Sequence, residues 1–156
     1  MRLELAARAR RWAAAVAPGQ AYEATTLDAA RTALHGHVGP VLLAAPDVPG
    51  LDAHIAAAAL EDLASGVDVV VGVTHDAHPY LIGVPDIDSE LAELVEGDFG
   101  GGVLAEFAER GLTLGMVRHE RRLATAADAR AFAIDPLAPP DLAALLRGGL
   151  SGPPRP

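Results

Sequence analysis

Apolar residues recur along this chain in two rhythms, and both meet in the stretch from Pro40 to Val84. Val41 to Ala45 is a short unbroken apolar run ended by Pro46, and Val69 to Val73 is a second, rich in β-branched residues; such runs suit strands buried on both faces. Between them Ile55, Ala59 and Leu63 recur at helical spacing, with Asp52 placed to cap the helix and Gly66 to stop it. A βαβ unit is predicted. Its right-handed crossover makes the two strands parallel, so the loops from Pro46 to Leu51 and from Thr74 to Pro79 leave the sheet along one carboxyl edge, where open α/β sheets bind ligands. Tyr80 to Val84, stopped by Pro85, follows after too few residues for a crossover helix and is expected to be antiparallel.

The flanking regions read as helices and short strands. Leu5, Ala9, Trp12 and Val16 form one apolar stripe on a helix that Pro18 and Gly19 terminate. Ala21 to Thr25 reads as a short strand, Asp28 as the cap of a brief helix through Leu34, and the glycines of His35 to Pro40 as a loop. Asp88 or Ser89 starts a helix bearing Leu91, Leu94 and Val95, which the glycines between Gly97 and Gly102 break. A helix from Val103 to Arg110, closed by Gly111, and a strand from Leu112 to Val117 come next. Thr125 and Asp128 have the spacing of a capping box for a helix through Phe132. Pro140 and Gly148 delimit a last helix, Asp141 to Arg147.

Composition narrows the class. With 156 residues, 51% of them hydrophobic, the chain is long enough for one self-sufficient core, and a single domain is expected over residues 1–148, followed by a disordered, proline-rich tail at 149–156. Cysteine is absent, which excludes disulfides and thiolate metal sites and makes a cytoplasmic location the simplest expectation. The formal net charge of -9, without a basic stripe interleaved with aromatics, speaks against nucleic acid as a partner. No apolar run is long enough for a membrane span, and Arg8, Arg10 and Arg11 interrupt the only stretch resembling a targeting segment.

Two aspartates stand out because both follow predicted parallel strands. Asp47, between Pro46 and Val48, is placed to hold a hard divalent cation against phosphate oxygens, and Asp76, in the His75–Asp76–Ala77–His78 turn, has the same option; each also has the plainer reading of a turn former. His75 and His78 beside Asp76 suggest nitrogen ligands for a metal, although loop histidines are more often solvated and no helical metal-binding spacing occurs. The glycines before Val103 suggest a phosphate cradle or a flexible turn. The run Arg118, His119, Glu120, Arg121, Arg122 reads as a solvated charged face, with an anion-binding role as the alternative.

The order of these motifs carries a family resemblance. Asp47, Val48, Pro49 and Gly50 close one strand; Asp76, Ala77, His78, Pro79 and Tyr80 lead into Leu81, Ile82 and Gly83; a glycine-rich loop, a helix and a strand follow; then comes Arg121, Arg122, Leu123, Ala124, Thr125, Ala126, Ala127, Asp128. From Trp12 to Leu146 this order resembles the bacterial transferases of the glycosyltransferase-A fold, relatives of nucleotide-diphospho-sugar transferases and nucleotidyltransferases, and in particular an actinobacterial branch of a domain-of-unknown-function family among them. The resemblance implies an α/β protein with three α/β/α layers and a mainly parallel sheet. It implies Asp47 and Asp76 as catalytic and metal-holding carboxylates, with Pro49, Gly50, His78, Tyr80, Thr125 and Asp128 as substrate contacts. Magnesium or manganese is the implied cation, and a nucleotide or nucleotide-sugar the implied ligand.

The chain also departs from that pattern. The family's first strand, with its glycine-rich, lysine-bearing phosphate loop, has no counterpart; two family loop glycines are Ala77 and His78; the aspartate expected before Thr125 is Ala124. The expectation is therefore an N-terminally truncated, degenerate relative. Two functions follow from it: glycosyl or nucleotidyl transfer at the Asp47–Asp76 rim, or a non-catalytic binding or assembly protein that forms a homodimer through the sheet edge a missing strand exposes.

Overall fold

A computed structural model describes residues 2–89, 102–136 and 138–150. In chain order the elements are α1 (Arg2–Val16), α2 (Leu27–Ala33), β1 (Val41–Ala44), α3 (Ala53–Ala64), β2 (Val69–Thr74), β3 (Pro79–Val84), α4 (Val103–Glu109), β4 (Leu114–Glu120), α5 (Ala126–Ala133) and α6 (Pro140–Leu150). The strands form one four-stranded sheet in the order β1-β3-β2-β4. Every residue of β2 and β3 is buried, as their unbroken β-branched and aliphatic runs require. Val69, Val70 and Val71 have no exposed surface, and each such side chain contributes roughly 1.5–3 kcal/mol over leaving it in water.

Helices lie against both faces of the sheet. Val69, Val71 and Val73 pack with Leu27 of α2 and Phe107 of α4, whereas Val70, one residue out of phase, packs with Ile55, Ala59 and Leu63 of α3. A separate cluster of Leu5, Leu123, Phe132, Leu142 and Leu146 ties α1 to α5 and α6. The Trp12 indole N–H donates to the Asp52 carbonyl at 2.7 Å, which docks α1 onto the start of α3. That start is built as the sequence predicts: the Asp52 side chain accepts from the Ile55 amide, and Gly66, at φ 96°, ends the turn in a conformation that other residues rarely adopt.

The expected mainly parallel sheet needs correction: it is mixed. β1, β2 and β4 run the same way, but β3 folds back through His75–His78 and inserts between β1 and β2, antiparallel to both, so that only the β2–β4 pairing is parallel. The turn is tight because the Thr74 amide donates to the His78 carbonyl at 2.8 Å and the Ala77 amide to the Thr74 carbonyl at 2.9 Å.

Several local expectations also change. Ala21–Thr25 is not a strand, since it pairs with nothing in the sheet. Thr26 caps α2 in place of Asp28, because Thr26 is extended and its hydroxyl reaches the Ala29 amide. β4 alternates buried and open positions from Leu114 to Arg118, as an edge strand does, and continues through His119 and Glu120. α6 runs past Gly148 to Leu150, into the predicted tail. The helix expected around Leu91, Leu94 and Val95, the glycines from Gly97 to Gly101 and the rest of the tail lie outside the described residues.

Candidate functional site

The shared direction of β1, β2 and β4 brings three connections to one carboxyl rim: Asp47–Gly50 after β1, His75–His78 after β2, and Arg121–Thr125 after β4. The last of these crosses the rim. The His75 amide donates to the Glu120 carbonyl at 3.3 Å, and three residues on the Leu123 amide donates to the Asp47 carbonyl at 3.0 Å. The chain after β4 is thereby stitched first to the β2 loop and then to the β1 loop.

This crossing sets Arg122 on Asp47. Nε and one terminal nitrogen of the guanidinium each lie 2.9 Å from Asp47 Oδ2, and both side chains are 23% exposed. The other oxygen, Oδ1, is buried and makes no hydrogen bond among the described residues. The carboxylate is thus neutralised from one side by a fixed cation.

Arg118 organises the neighbouring loop. Its guanidinium donates to Glu120 Oε1 at 2.6 Å, to Asp52 Oδ2 at 2.9 Å and to the Gly50 carbonyl at 2.7 Å, while its own carbonyl accepts from the Tyr80 hydroxyl at 2.8 Å. Glycine at position 50 leaves room for this arrangement: a Cβ there would run into the Glu120 carboxylate and push it off its place. Burial works to raise the Asp52 carboxyl, but the Ile55 amide and the Arg118 guanidinium outweigh it and hold it below the usual carboxylate range. The fully buried Tyr80 hydroxyl is pushed well above its ordinary value, chiefly by desolvation and then by Glu120.

On the β2 side, a cavity of about 590 Å³ is bordered by Thr74, Asp76, His78, Arg122, Thr125 and Asp128. The Thr74 hydroxyl donates to Asp76 Oδ1, and this bond more than any other influence lowers the Asp76 carboxyl; His78 and Arg122 pull the same way. His78 Nδ1 lies 3.1 Å from the Asp76 carbonyl and 3.3 Å from its Oδ2. Ala77 sits at φ 63°, a strained position for a residue with a Cβ. Thr125 and Asp128 form the capping box of α5 in both directions, so their polar atoms already serve the helix start.

Of the residues singled out from the sequence, Asp76, His78, Thr125 and Asp128 border this one cavity, joined to Asp47 through Arg122. Pro49 and Gly50 belong to the loop that Arg118 gathers, and Tyr80 is sealed beneath it with its hydroxyl turned to the backbone. The histidines do not converge on a metal: His75 stands edge-on to His119 with ring centroids 6.2 Å apart. No group of three or more histidine, aspartate or glutamate side chains among the described residues is arranged to hold an ion. Asp47 with Arg122 on it and Asp76 with Thr74 and His78 on it do not fit a divalent cation, which needs a larger set of free oxygens.

The run Arg118, His119, Glu120, Arg121, Arg122 does more than its sequence pattern implies. It is not simply a solvated face: Arg118 and Arg122 each tie a loop to the rim. The available signal was position, since both lie at or just beyond the end of a strand that shares its carboxyl edge with Asp47.

These features define an α/β domain with a mixed sheet and a polar cleft at the carboxyl ends of its parallel-running strands. No protein-family model matches the chain, and no curated protein matches it. Among solved structures, the crystal structure of a putative nucleotide-diphospho-sugar transferase from Desulfovibrio desulfuricans G20 is similar, with a TM-score of 0.60 and 21% identity over 80% of this chain. The two share a fold. This chain spans 58% of that protein's length. No helix among the described residues is long and apolar enough to cross a membrane.

Proposed function

We propose that the rim binds a nucleotide or nucleotide-sugar through its phosphates, in a three-layer glycosyltransferase-A-like domain of transferase ancestry, and that the chain holds this ligand without transferring a glycosyl or nucleotidyl group. The observation that carries the reading is the Asp47–Arg122 pair. The aspartate after β1 is the group a transferase would give to a metal; here a guanidinium is already on it, and a guanidinium is itself suited to phosphate oxygens. Arg121, at 3.5 Å from Asp135, supplies a second cation on the same segment, and both arginines border the cleft. The likeness to the Desulfovibrio protein supports the fold level of this reading. The actinobacterial family and a cytoplasmic setting belong to the same proposal, the latter supported by the absence of cysteine.

The test is isothermal calorimetry with a panel of UDP- and GDP-sugars and nucleoside triphosphates, in magnesium, manganese or EDTA, together with an assay for released nucleotide. The reading expects binding that survives EDTA and no turnover. Binding that requires a metal and vanishes in Asp47→Ala, or release of nucleotide at a steady rate, would establish an active metal-dependent transferase instead.

A further inference from the structure

Two arginines border the rim cleft, and each already holds a carboxylate of its own: Arg122 is paired with Asp47 at 2.9 Å and Arg121 with Asp135 at 3.5 Å. Asp76 and Asp128 border the same cleft, and among the described residues no arginine forms an ion pair with either. Taken with their partners, two arginines stand against four aspartates. The rim is therefore locally acidic, in a chain whose formal net charge is already -9.

The two remaining carboxylates are oriented side chains with an oxygen to offer. Asp76 Oδ1 accepts from the Thr74 hydroxyl, which fixes the group and does most to keep its carboxyl below the usual range. Its Oδ2 has the imidazole Nδ1 of His78 at 3.3 Å, and the side chain is 69% exposed. Asp128 uses Oδ2 for the Thr125 amide and hydroxyl, while its Oδ1 accepts nothing among the described residues.

A phosphate seated on Arg121 and Arg122 would meet this surplus of negative charge. A divalent cation could offset it, but the carboxylates at the rim do not fit one. A sugar that offers only hydroxyls can donate to Asp76 and Asp128, yet it leaves the charge as it was. An ammonium group both donates and compensates, and hydrogen bonds between ionised partners are roughly twice as strong as neutral ones.

We propose that the cleft takes a phosphate ester carrying its own ammonium group, an amino sugar phosphate or its nucleotide-linked form, with the phosphate on Arg121 and Arg122 and the ammonium on Asp76 and Asp128. This rests on the reading that the rim takes a phosphate, and narrows it to a sugar whose amine is unmodified. Opposite charges at the two ends of the ligand then face opposite charges in the cleft, which orients it as well as holding it. The volume of about 590 Å³ leaves room for a hexose ring between the two ends.

The experiment is calorimetry with the full chain, in EDTA throughout. Glucosamine 1-phosphate and glucosamine 6-phosphate, which hold the amine at two distances from the phosphate, are compared with the matching glucose and N-acetylglucosamine phosphates. One of the two glucosamine phosphates should bind with a Kd of about 10–100 µM, at least tenfold more tightly than its hydroxyl and acetamide counterparts. Asp76→Asn, whose amide oxygen still accepts from Thr74, should erase most of that difference. Glu61→Gln, which removes a charge from the exposed surface of α3, should keep it. Equal affinity for the amine, hydroxyl and acetamide forms overturns the proposal, and the wild-type comparison decides this even if a variant misfolds. A preference that survives Asp76→Asn intact also overturns it, as does one lost equally in Glu61→Gln, which would trace to the net charge of the chain. UDP-glucose, titrated in the same buffer, reports separately on the rim. If it binds while the amine confers no advantage, nucleotide binding stands and this proposal falls; if a glucosamine phosphate binds and UDP-glucose does not, the reverse holds. No binding of any of them up to about 1 mM removes both.

Discussion

Arg122 grips Asp47 through two nitrogens on a single carboxylate oxygen, each at 2.9 Å, and the Leu123 amide closes on the Asp47 carbonyl at 3.0 Å. Side chain and backbone together bind the end of β1 to the segment after β4, which belong to opposite edges of the sheet. Removing the guanidinium leaves a largely buried carboxylate with neither oxygen satisfied. Arg122→Met should cost about 2 kcal/mol in urea denaturation, and Arg122→Lys, which restores the charge without the fork, should fall between it and the wild type. A loss below about 0.5 kcal/mol would mean that the pair behaves as an ordinary surface bridge.

Two glycines test close packing with different neighbours. A Cβ at Gly72 would lie 2.6 Å from the ring of buried Tyr80 and 2.8 Å from Val117, where nothing is free to move. One at Gly50 would first meet the carboxylate of Glu120, which can swing away at the expense of its bond to Arg118. Gly72→Ala should destabilise by about 3 kcal/mol and Gly50→Ala by about 1 kcal/mol. Adding Glu120→Ala to Gly50→Ala should cost less than the two single losses combined; additive losses would disprove the contact.

Ala77 holds φ 63° in the β2–β3 turn. Ala77→Gly relieves a left-handed penalty of about 1–2 kcal/mol but gives back part of it as backbone entropy in the unfolded chain. A net gain on the order of 1 kcal/mol is expected, seen as a thermal midpoint higher by about 2–4 °C. A lower midpoint would place the turn in another conformation.

Acid sensitivity should trace in part to Asp52. Its folded pKa lies below the ordinary 3.8, so its contribution to stability is complete above that value and is lost as the pH falls through the lowered one. Asparagine caps a helix equally well but cannot pair with Arg118 as an anion. The thermal midpoint of Asp52→Asn should therefore fall less steeply than that of the wild type below about pH 4. Parallel curves would contradict the lowering that the Ile55 amide and then Arg118 give this carboxyl.

What was legible in the sequence was local. The Asp52 cap, the Gly66 stop, the Thr125–Asp128 box and the buried runs of β2 and β3 depend on residues a few positions apart, and they fold as the pattern predicts. The placement of β3 between β1 and β2 depends on a choice of partner that no periodicity encodes. Ala21–Thr25 reads as a short strand in the sequence but makes no backbone–backbone hydrogen bond among the described residues. The rim was legible as far as direction, because parallel strands put Asp47 and Asp76 at one edge. Arg118 and Arg122 act across 66 to 75 residues of chain, and only the folded arrangement shows what they hold.

The account turns on whether an arginine stands in for a metal at the rim. The most direct measurement is the calorimetric affinity for UDP-glucose in EDTA, wild type against Arg122→Ala, with folding of the variant checked by circular dichroism. Binding that persists in EDTA and weakens at least tenfold in the variant is the predicted result; binding that appears only with magnesium or manganese, and is indifferent to Arg122, would contradict it.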